Sequence, residues 1–300
     1  MSTQSFLVTG ASGFVGQTLT REVPGAHFAE LPASVDLRDK QALRRAVQAS
    51  SPNRVIHLAA QTFVPRSFAD PTETFSINFQ GTWNLLEALD AAKFTGRLLF
   101  VSSGDVYGIT PENELPITEL RPVRPRNPYA VSKVAAEALC YQWSQTSSFE
   151  IVSVRPFNHI GAGQNERFVV SSLAKQIVEI RKGVRPPILR VGDLSVTRDF
   201  TDVRDVVSAY MLLVEDGVNG ETYNVCSGVE RSIEALLNCM LNISGVSAEV
   251  YPDPELFRSA EQRRVCGSLN KINGQTGWLP KIPLERTLQD ILSFWESVIQ

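Results

Sequence analysis

The stretch "SFLVTGASGFVGQTLTREV", residues 5–23, decides the fold. Its first part, "SFLVTG", is a short apolar run of strand character, and "FVGQTLTREV" has helical spacing. Gly10, Gly13 and Gly16 stand at the junction in a G-x-x-G-x-x-G spacing, where a dinucleotide fingerprint has G-x-G-x-x-G. Glycines there permit a tight turn and let a pyrophosphate approach the backbone amides at the helix N-terminus. The triplet alone is weak, because a purely structural turn also uses glycine. The chain that follows settles its meaning.

Short β-rich runs alternate with helical segments as far as residue 160. "NRVIHLAA" (53–60), "RLLFVSS" (97–103) and "FEIVSVRPF" (149–157) read as strands, while "NFQGTWNLLEALDAA" (78–92) and "RNPYAVSKVAAEAL" (126–139) read as helices. Continuous apolar strands separated by helices predict an α/β chain, with a Rossmann-type doubly wound parallel sheet covered on both faces. After Asn158 the pattern loosens. A helix at "FVVSSLAKQIVEIRKG" precedes the polar "VGDLSVTRDFTDVRD", a further helix, "ETYNVCSG" and a tail ending in "TLQDILSFWESVIQ". We expect residues 1–160 to form the dinucleotide-binding domain, with about 195–228 returning to it. Residues 161–300 would be mainly a smaller C-terminal substrate-binding lobe.

Composition narrows the function classes. The 300 residues are 43% hydrophobic and 20% charged, ordinary for a soluble domain with a well-buried core. A net charge of −3 gives no general attraction to nucleic acid or to anionic membrane. No segment approaches the roughly 20 apolar residues of a membrane span, and the N-terminus lacks a signal-peptide pattern. Cys140, Cys226, Cys239 and Cys266 are scattered without a C-x-x-C, which suits free thiols in a reducing compartment. Three histidines without paired spacing predict no metal site. These features place the protein in the cytoplasm.

"RNPYAVSKVAAEAL" carries the chemistry. Asn127 suits an N-cap and Pro128 the first helical turn. Val131, Val134, Ala135, Ala138 and Leu139 form an apolar stripe that would anchor the helix to the sheet, leaving Tyr129 and Lys133 on a different face. Reducing a ketone needs a hydride at carbon and a proton at oxygen. A tyrosine hydroxyl can give that proton, and a lysine ammonium one turn away lowers its pKa of about 10. "FVSSGDVYG" puts Ser103 and Asp105 at the carboxyl edge of the sheet, where ligands bind in open α/β folds. Ser103 would hold the carbonyl oxygen. The plainer alternative pairs Lys133 with Glu137, four residues on, and leaves Tyr129 to packing. With the glycine loop and Ser103 in the same chain, the catalytic reading prevails. For the adenosine ribose, Glu30 in "HFAEL" stands about 20 positions beyond the glycines, whereas Arg21 would suit a 2′-phosphate. NAD and NADP both stay open.

"TGASGFVG", "DLRD", "HLAA", "NFQGT", "SSGDVYG", "PYAVSK", "RPFNHIG" and "RDFTDVRD" follow one another in an order and spacing that resemble the extended short-chain dehydrogenase/reductases acting on nucleotide sugars. The likeness spans essentially the whole chain, including "GWLPKIPL". It implies NADPH or NADH held by Gly10, Gly13, Phe14, Val15, Gly16, Asp36, Leu37, Leu58, Ala59, Ala60, Tyr129, Lys133 and Pro156. Asp36 and Leu37 would lie at the adenine, and Leu58 to Ala60 would line the cofactor along the fourth strand. Ser103, Asp105, Tyr129, Asn158, Arg198, Arg258 and Glu261 would meet the sugar nucleotide, the last two at its base. Where dehydratases have Arg-Pro-x-Glu, this chain has Ser259 in place of the proline.

Within the family, "SSGDVYG", "RNPYAVSK" and "RPFNHIGAGQ" look most like the branch that reduces GDP-4-dehydro-6-deoxy-D-mannose at C4 to GDP-D-rhamnose. GDP-mannose 4,6-dehydratases carry Glu two residues beyond the catalytic hydroxyl, as acid and base for eliminating water. Asp105 stands at that position here, its carboxylate about 1.5 Å nearer the backbone, and near-attack geometry is sensitive to about an ångström. The resemblance therefore favours reduction over dehydration. A 4-epimerase uses the same Tyr/Lys pair, and a non-catalytic dinucleotide-binding protein could share the fold. A homodimer is expected from the relatives' two-helix contacts.

Overall fold

The computed structural model describes residues 5–23, 27–31, 35–257 and 262–300. In chain order its first elements are β1 (Ser5–Thr9), α1 (Phe14–Glu22), β2 (His27–Glu30), α2 (Lys40–Ser50) and β3 (Arg54–His57). Two short helices, α3 (Val64–Ala69) and α4 (Pro71–Phe75), lead through a π turn at Ser76–Gln80 into α5 (Gly81–Ala91). Then come β4 (Arg97–Val101), a 3₁₀ turn at Gly104–Tyr107, α6 (Pro128–Thr146), β5 (Glu150–Pro156) and β6 (Asn158–Ile160). The remainder is α7 (Val169–Arg181), β7 (Ile188–Val191), β8 (Thr197–Asp202), α8 (Val203–Asp216), β9 (Thr222–Val225), β10 (Glu230–Ser232), α9 (Ile233–Ser244), β11 (Glu249–Pro252), α10 (Asn270–Thr276) and α11 (Leu284–Val298).

Six of the strands form a parallel sheet in the order β2-β1-β3-β4-β5-β9. Side chains alternate across a strand, so both faces of each strand must be apolar when helices cover both sides. Phe6 and Val8 of β1, Ile56 of β3, Leu99 of β4 and Val152 of β5 enter one buried cluster with Leu19 of α1 and Val206, Val207 and Tyr210 of α8. Their neighbours Leu7, Val55, Leu98 and Ile151 enter the opposite cluster with Leu43 of α2, Leu85 of α5 and Ala136 and Cys140 of α6. This is the doubly wound α/β architecture expected. The order reverses direction between β1 and β3, the switch point at which such sheets open a crevice for ligands.

A second core is built from α7, α9 and α11 around Leu173, Ile177, Leu236, Leu292 and Trp295. Its strands make two small sheets, β10-β8-β6 and β11-β7. The chain passes between the two bodies repeatedly. The strand β9 joins the large sheet beside β5, and Ile272 and Trp278 from near the C-terminus sit in the α8 cluster of the first body.

The face of α6 differs from expectation. Its buried residues are Tyr129, Ala130, Ser132, Lys133, Ala136, Cys140 and Ser144, whereas Val131 and Ala138 are exposed and Val134, Ala135 and Leu139 only partly covered. Tyr129 and Lys133 therefore lie on the packed face itself. Their polar atoms find partners there, which outweighs the hydropathy of a valine one position away. Leu58 to Ala60 also differ: they follow β3, third strand in the chain rather than fourth.

Candidate active site

Gly10 has φ +74°, and a Cβ there would stand 2.8 Å from the Ala59 nitrogen. A side chain is excluded twice over, by the left-handed backbone and by that close approach. The same contact brings Leu58 and Ala59 against the glycine loop, and Ala59 N–H donates to Thr9 Oγ1 at 3.2 Å. A Cβ on Gly16 would stand 2.5 Å from Ala11, so α1 presses directly on the loop it leaves. Gly13 occupies the N-cap of α1 without a side-chain cap, so the first-turn amides of Phe14, Val15 and Gly16 face the loop mouth. That is a fitting seat for a dinucleotide pyrophosphate. The Phe14 ring stacks on His159 of β6 at 6.1 Å and 4°, tying the loop to the second body.

Asp36 and Leu37 lie just before α2. Asp36 takes a forked ion pair from Arg38, whose hydrogen bonds hold its carboxyl below the usual range. Leu37 is buried against Gly81, where a Cβ would come within 2.8 Å of it. Glu30 is exposed at the end of β2, and Arg21 pairs with the adjacent Glu22 at 3.0 Å.

Ser103 caps the 3₁₀ turn after β4 and accepts from the Asp105 N–H at 3.2 Å. Asn127 caps α6 through the Ala130 N–H at 2.7 Å, with Pro128 in the first turn. Its amide nitrogen donates to Asp105 Oδ2 at 3.4 Å, which joins the turn to the helix start. Tyr129 and Lys133 are 7% and 3% exposed. Burial raises the Tyr129 pKa strongly, the Asp105 charge adds to the rise, and the adjacent Ser103 hydroxyl opposes it. The depression by Lys133 expected from spacing is thus replaced by a rise. Lys133 Nζ is occupied with the Val101 carbonyl at 2.8 Å and lies 5.2 Å from the centre of the Phe100 ring. Its own pKa is pushed down to about 8 by burial, against the opposing influence of Cys140 and Glu137.

Asn158, exposed at the start of β6, pairs with Phe200 of β8, two residues from Arg198. Arg198 donates Nη1 to its neighbour's carbonyl at Thr197, at 2.7 Å. The carboxylates near it in sequence, Asp199 and Asp202, have partners of their own. Asp202 binds Arg204, and Asp199 is buried among the N–H groups of Ser227, Gly228 and Gly267. Pro156 ends β5, and its carbonyl would lie 3.4 Å from a Cβ on Gly104. Arg258 and Glu261 lie outside the described residues. No group of His, Cys, Asp and Glu able to hold a metal occurs among the described residues.

Behind the site runs a polar chain that the sequence reading did not single out. His57 bridges Thr9 Oγ1 at 2.6 Å and Thr82 Oγ1 at 3.0 Å, and burial pushes its pKa down to about 3, so the ring is neutral. Asn78, in the π turn, donates to Ser132 Oγ at 2.9 Å and to the Gln61 carbonyl at 3.0 Å, and Ser132 in turn donates to the Tyr129 carbonyl at 2.7 Å. "HLAA" and "NFQGT" contain three of these residues, His57, Asn78 and Thr82, but only the fold shows that they share one network, joined where Thr82 Oγ1 donates to the Asn78 carbonyl at 2.6 Å.

Residues 29–291 match the family model described as GDP-mannose 4,6 dehydratase. The chain belongs to that family. This family member, one of the extended short-chain dehydrogenase/reductases, is 47% identical to a Pseudomonas aeruginosa GDP-6-deoxy-D-mannose reductase, the match covering 99% of each chain. It is 31% identical to an Aggregatibacter actinomycetemcomitans GDP-6-deoxy-D-talose 4-dehydrogenase over 89% of both. Its structure superposes with a TM-score of 0.94 on RMD from P. aeruginosa complexed with NADPH, covering 99% of this chain and 100% of that one at 47% identity.

Proposed function

We infer that the family member reduces the C4 ketone of GDP-4-dehydro-6-deoxy-D-mannose to GDP-D-rhamnose, with NADPH as the natural reductant and NADH as the other candidate. The observation that carries the reading is a buried, protonated Tyr129 beside Ser103, at the carboxyl edge of a sheet whose glycine loop suits a dinucleotide. The likeness to a reductase of that substrate along the whole chain supports it.

Gly10, Gly13, Phe14, Val15 and Gly16 would seat the pyrophosphate, Asp36 and Leu37 the adenine end, and Leu58, Ala59, Ala60 and Pro156 the rest of the dinucleotide. Bound there, the dinucleotide supplies the hydride. Tyr129 holds its proton at neutral pH because burial and Asp105 disfavour the phenolate. Charge developing on the ketone oxygen would draw that proton, and the Ser103 hydroxyl would keep the oxygen in reach. Lys133, fixed to the end of β4, would hold the ribose and stabilise the tyrosinate left after transfer. Asp105 would orient the sugar, with Asn158 and Arg198 on β6 and β8 at the sugar nucleotide. Arg258 and Glu261 are proposed at the guanine.

The large-sheet body would thus bind the dinucleotide, and the body built on α7, α9 and α11 the sugar nucleotide. A homodimer through the outer sides of α5 and α6, where Trp83, Val131 and Tyr141 are exposed, belongs to the same reading, as does a cytoplasmic location. No helix among the described residues is long and apolar enough to cross a membrane. The test offers GDP-4-dehydro-6-deoxy-D-mannose with NADPH, and separately GDP-mannose without added reductant. The reading predicts turnover in the first alone. Release of a 4-keto sugar from GDP-mannose would make the protein a dehydratase instead.

A further inference from the structure

The sequence allows a pair between Lys133 and Glu137 at i, i+4 on α6, and the structure makes a different one. Glu137 turns to β5, where Arg155 donates Nε to Oε1 at 2.9 Å and Nη2 to Oε2 at 2.7 Å. The two side chains keep only 10% and 11% of their surface exposed. The third donor of Arg155, Nη1, reaches the Tyr107 hydroxyl at 3.0 Å, and the guanidinium lies 4.8 Å from the centre of that ring. The Tyr107 hydroxyl donates in turn to Asn224 Oδ1 of β9 at 2.7 Å. The guanidinium is thereby fixed from α6, from the turn after β4 and, through Tyr107, from β9. Such a planar fork holds a carboxylate more tightly and with better direction than an ammonium does.

Stability alone gives no reason for the arrangement, since a buried ion pair is often no better than apolar residues of equal volume. Its position does. Glu137 stands one helical turn from Lys133, and their charges act on each other. We propose that Arg155 is a positioning residue for the reduction: by taking Glu137 it leaves the Lys133 ammonium free to sit at the end of β4, where the functional reading above places the cofactor ribose. The other groups facing Lys133 do not compete for it. Tyr129 and Cys140 lie on its own helix and are protonated, since burial raises both. His57 of β3 is neutral, and β4 presents the Phe100 ring and the Val101 carbonyl. Without Arg155, Glu137 would be a buried carboxylate whose nearest available cation is Lys133.

The test measures the alkaline limb of kcat/KM for NADPH in the full-length protein, for Arg155→Met, Glu137→Gln and the double variant. Lys133 titration is followed in parallel by NMR of ¹³Cε-labelled lysine, which needs no turnover. Arg155→Met is expected to move the Lys133 titration and the limb up by about one pH unit or more, and to lower kcat/KM about tenfold. Glu137→Gln should move both down, because an uncompensated guanidinium then faces the ammonium. The double variant should return both to the wild-type position and recover most of the lost kcat/KM. A folded Arg155→Met protein with an unmoved Lys133 titration, and only a lower Tm, would overturn the proposal. Should Arg155→Met not fold, the isosteric Glu137→Gln decides on the same criterion. If the NMR shifts appear but no 4-keto sugar is reduced, the functional reading fails, while Arg155 still stands as the residue that keeps Glu137 from Lys133.

Discussion

Tyr129 owes its chemical state to its surroundings more than to its partner in the motif. Burial on the packed face of α6 and the nearby Asp105 charge both penalise the phenolate, so the side chain waits as an acid. Replacing it with phenylalanine keeps the packing and removes the proton. Tyr129→Phe is expected to lower kcat by about 10²–10⁴-fold while leaving sugar-nucleotide affinity, measured by calorimetry, nearly unchanged. Near-normal turnover would remove Tyr129 from the role. Under the proposed function Lys133 would set the pH dependence. Its ammonium would be the state that holds the ribose, and burial brings its pKa down to about 8. Activity should therefore be full below that value and fall as pH rises through it, in a kcat/KM profile, which reports the free enzyme. The sequence could single these residues out as candidates because Y-x-x-x-K, S-S-G-D and the glycines are local patterns. Their charge states were not legible there. Nothing in the spacing of Tyr129 and Lys133 says that Val101 O will take the ammonium, or that Arg155, 22 residues beyond Lys133, will take Glu137.

At the scale of elements, the strands and helices follow from periodicity, and the errors fall where polar groups are buried with partners. The apolar stripe of α6 points to Val131, which is 40% exposed, and away from Ser132, which is buried. Ser132 lies inward because the Asn78 amide and the Tyr129 carbonyl satisfy its hydroxyl, contacts that hydropathy does not count. The π turn that carries Asn78 likewise leaves no mark in the apolar spacing. The glycine loop was legible, and its tightness makes a prediction. A Cβ on Gly16 would enter the space of the Ala11 Cα and carbonyl at 2.5 Å. Gly16→Ala must push α1 from the glycine loop, which costs about 1–3 kcal/mol in urea unfolding and weakens NADPH binding in a fluorescence titration. Unchanged affinity would mean that the first turn of α1 is not the seat of the pyrophosphate.

At the scale of the whole molecule, two cores are laced together by a chain that crosses between them. The sequence foretold a looser second half, but not that Trp278 would return to the first core. Its ring packs beside α8, and its Nε1 donates to Ser208 Oγ at 2.9 Å, an arrangement that depends on contacts 70 residues apart in the chain. Trp278→Ala is expected to cost about 3–5 kcal/mol of stability in urea unfolding. Because the lost contacts support α8 beneath the six-stranded sheet, where the dinucleotide is proposed to bind, NADPH should restore part of the loss, about 2.7 kcal/mol at a hundredfold excess over its Kd. Sheet, lobe and site converge on one central claim, that this chain moves a hydride to C4 of a GDP-linked 4-keto sugar and a proton to its oxygen. The most direct test is NMR of the product formed from GDP-4-dehydro-6-deoxy-D-mannose and [4-²H]NADPH carrying the label on the transferred face. The account predicts one NADPH consumed per product and one deuterium at C4 of GDP-D-rhamnose. Turnover without net NADPH oxidation, or a product unlabelled at C4, would contradict it.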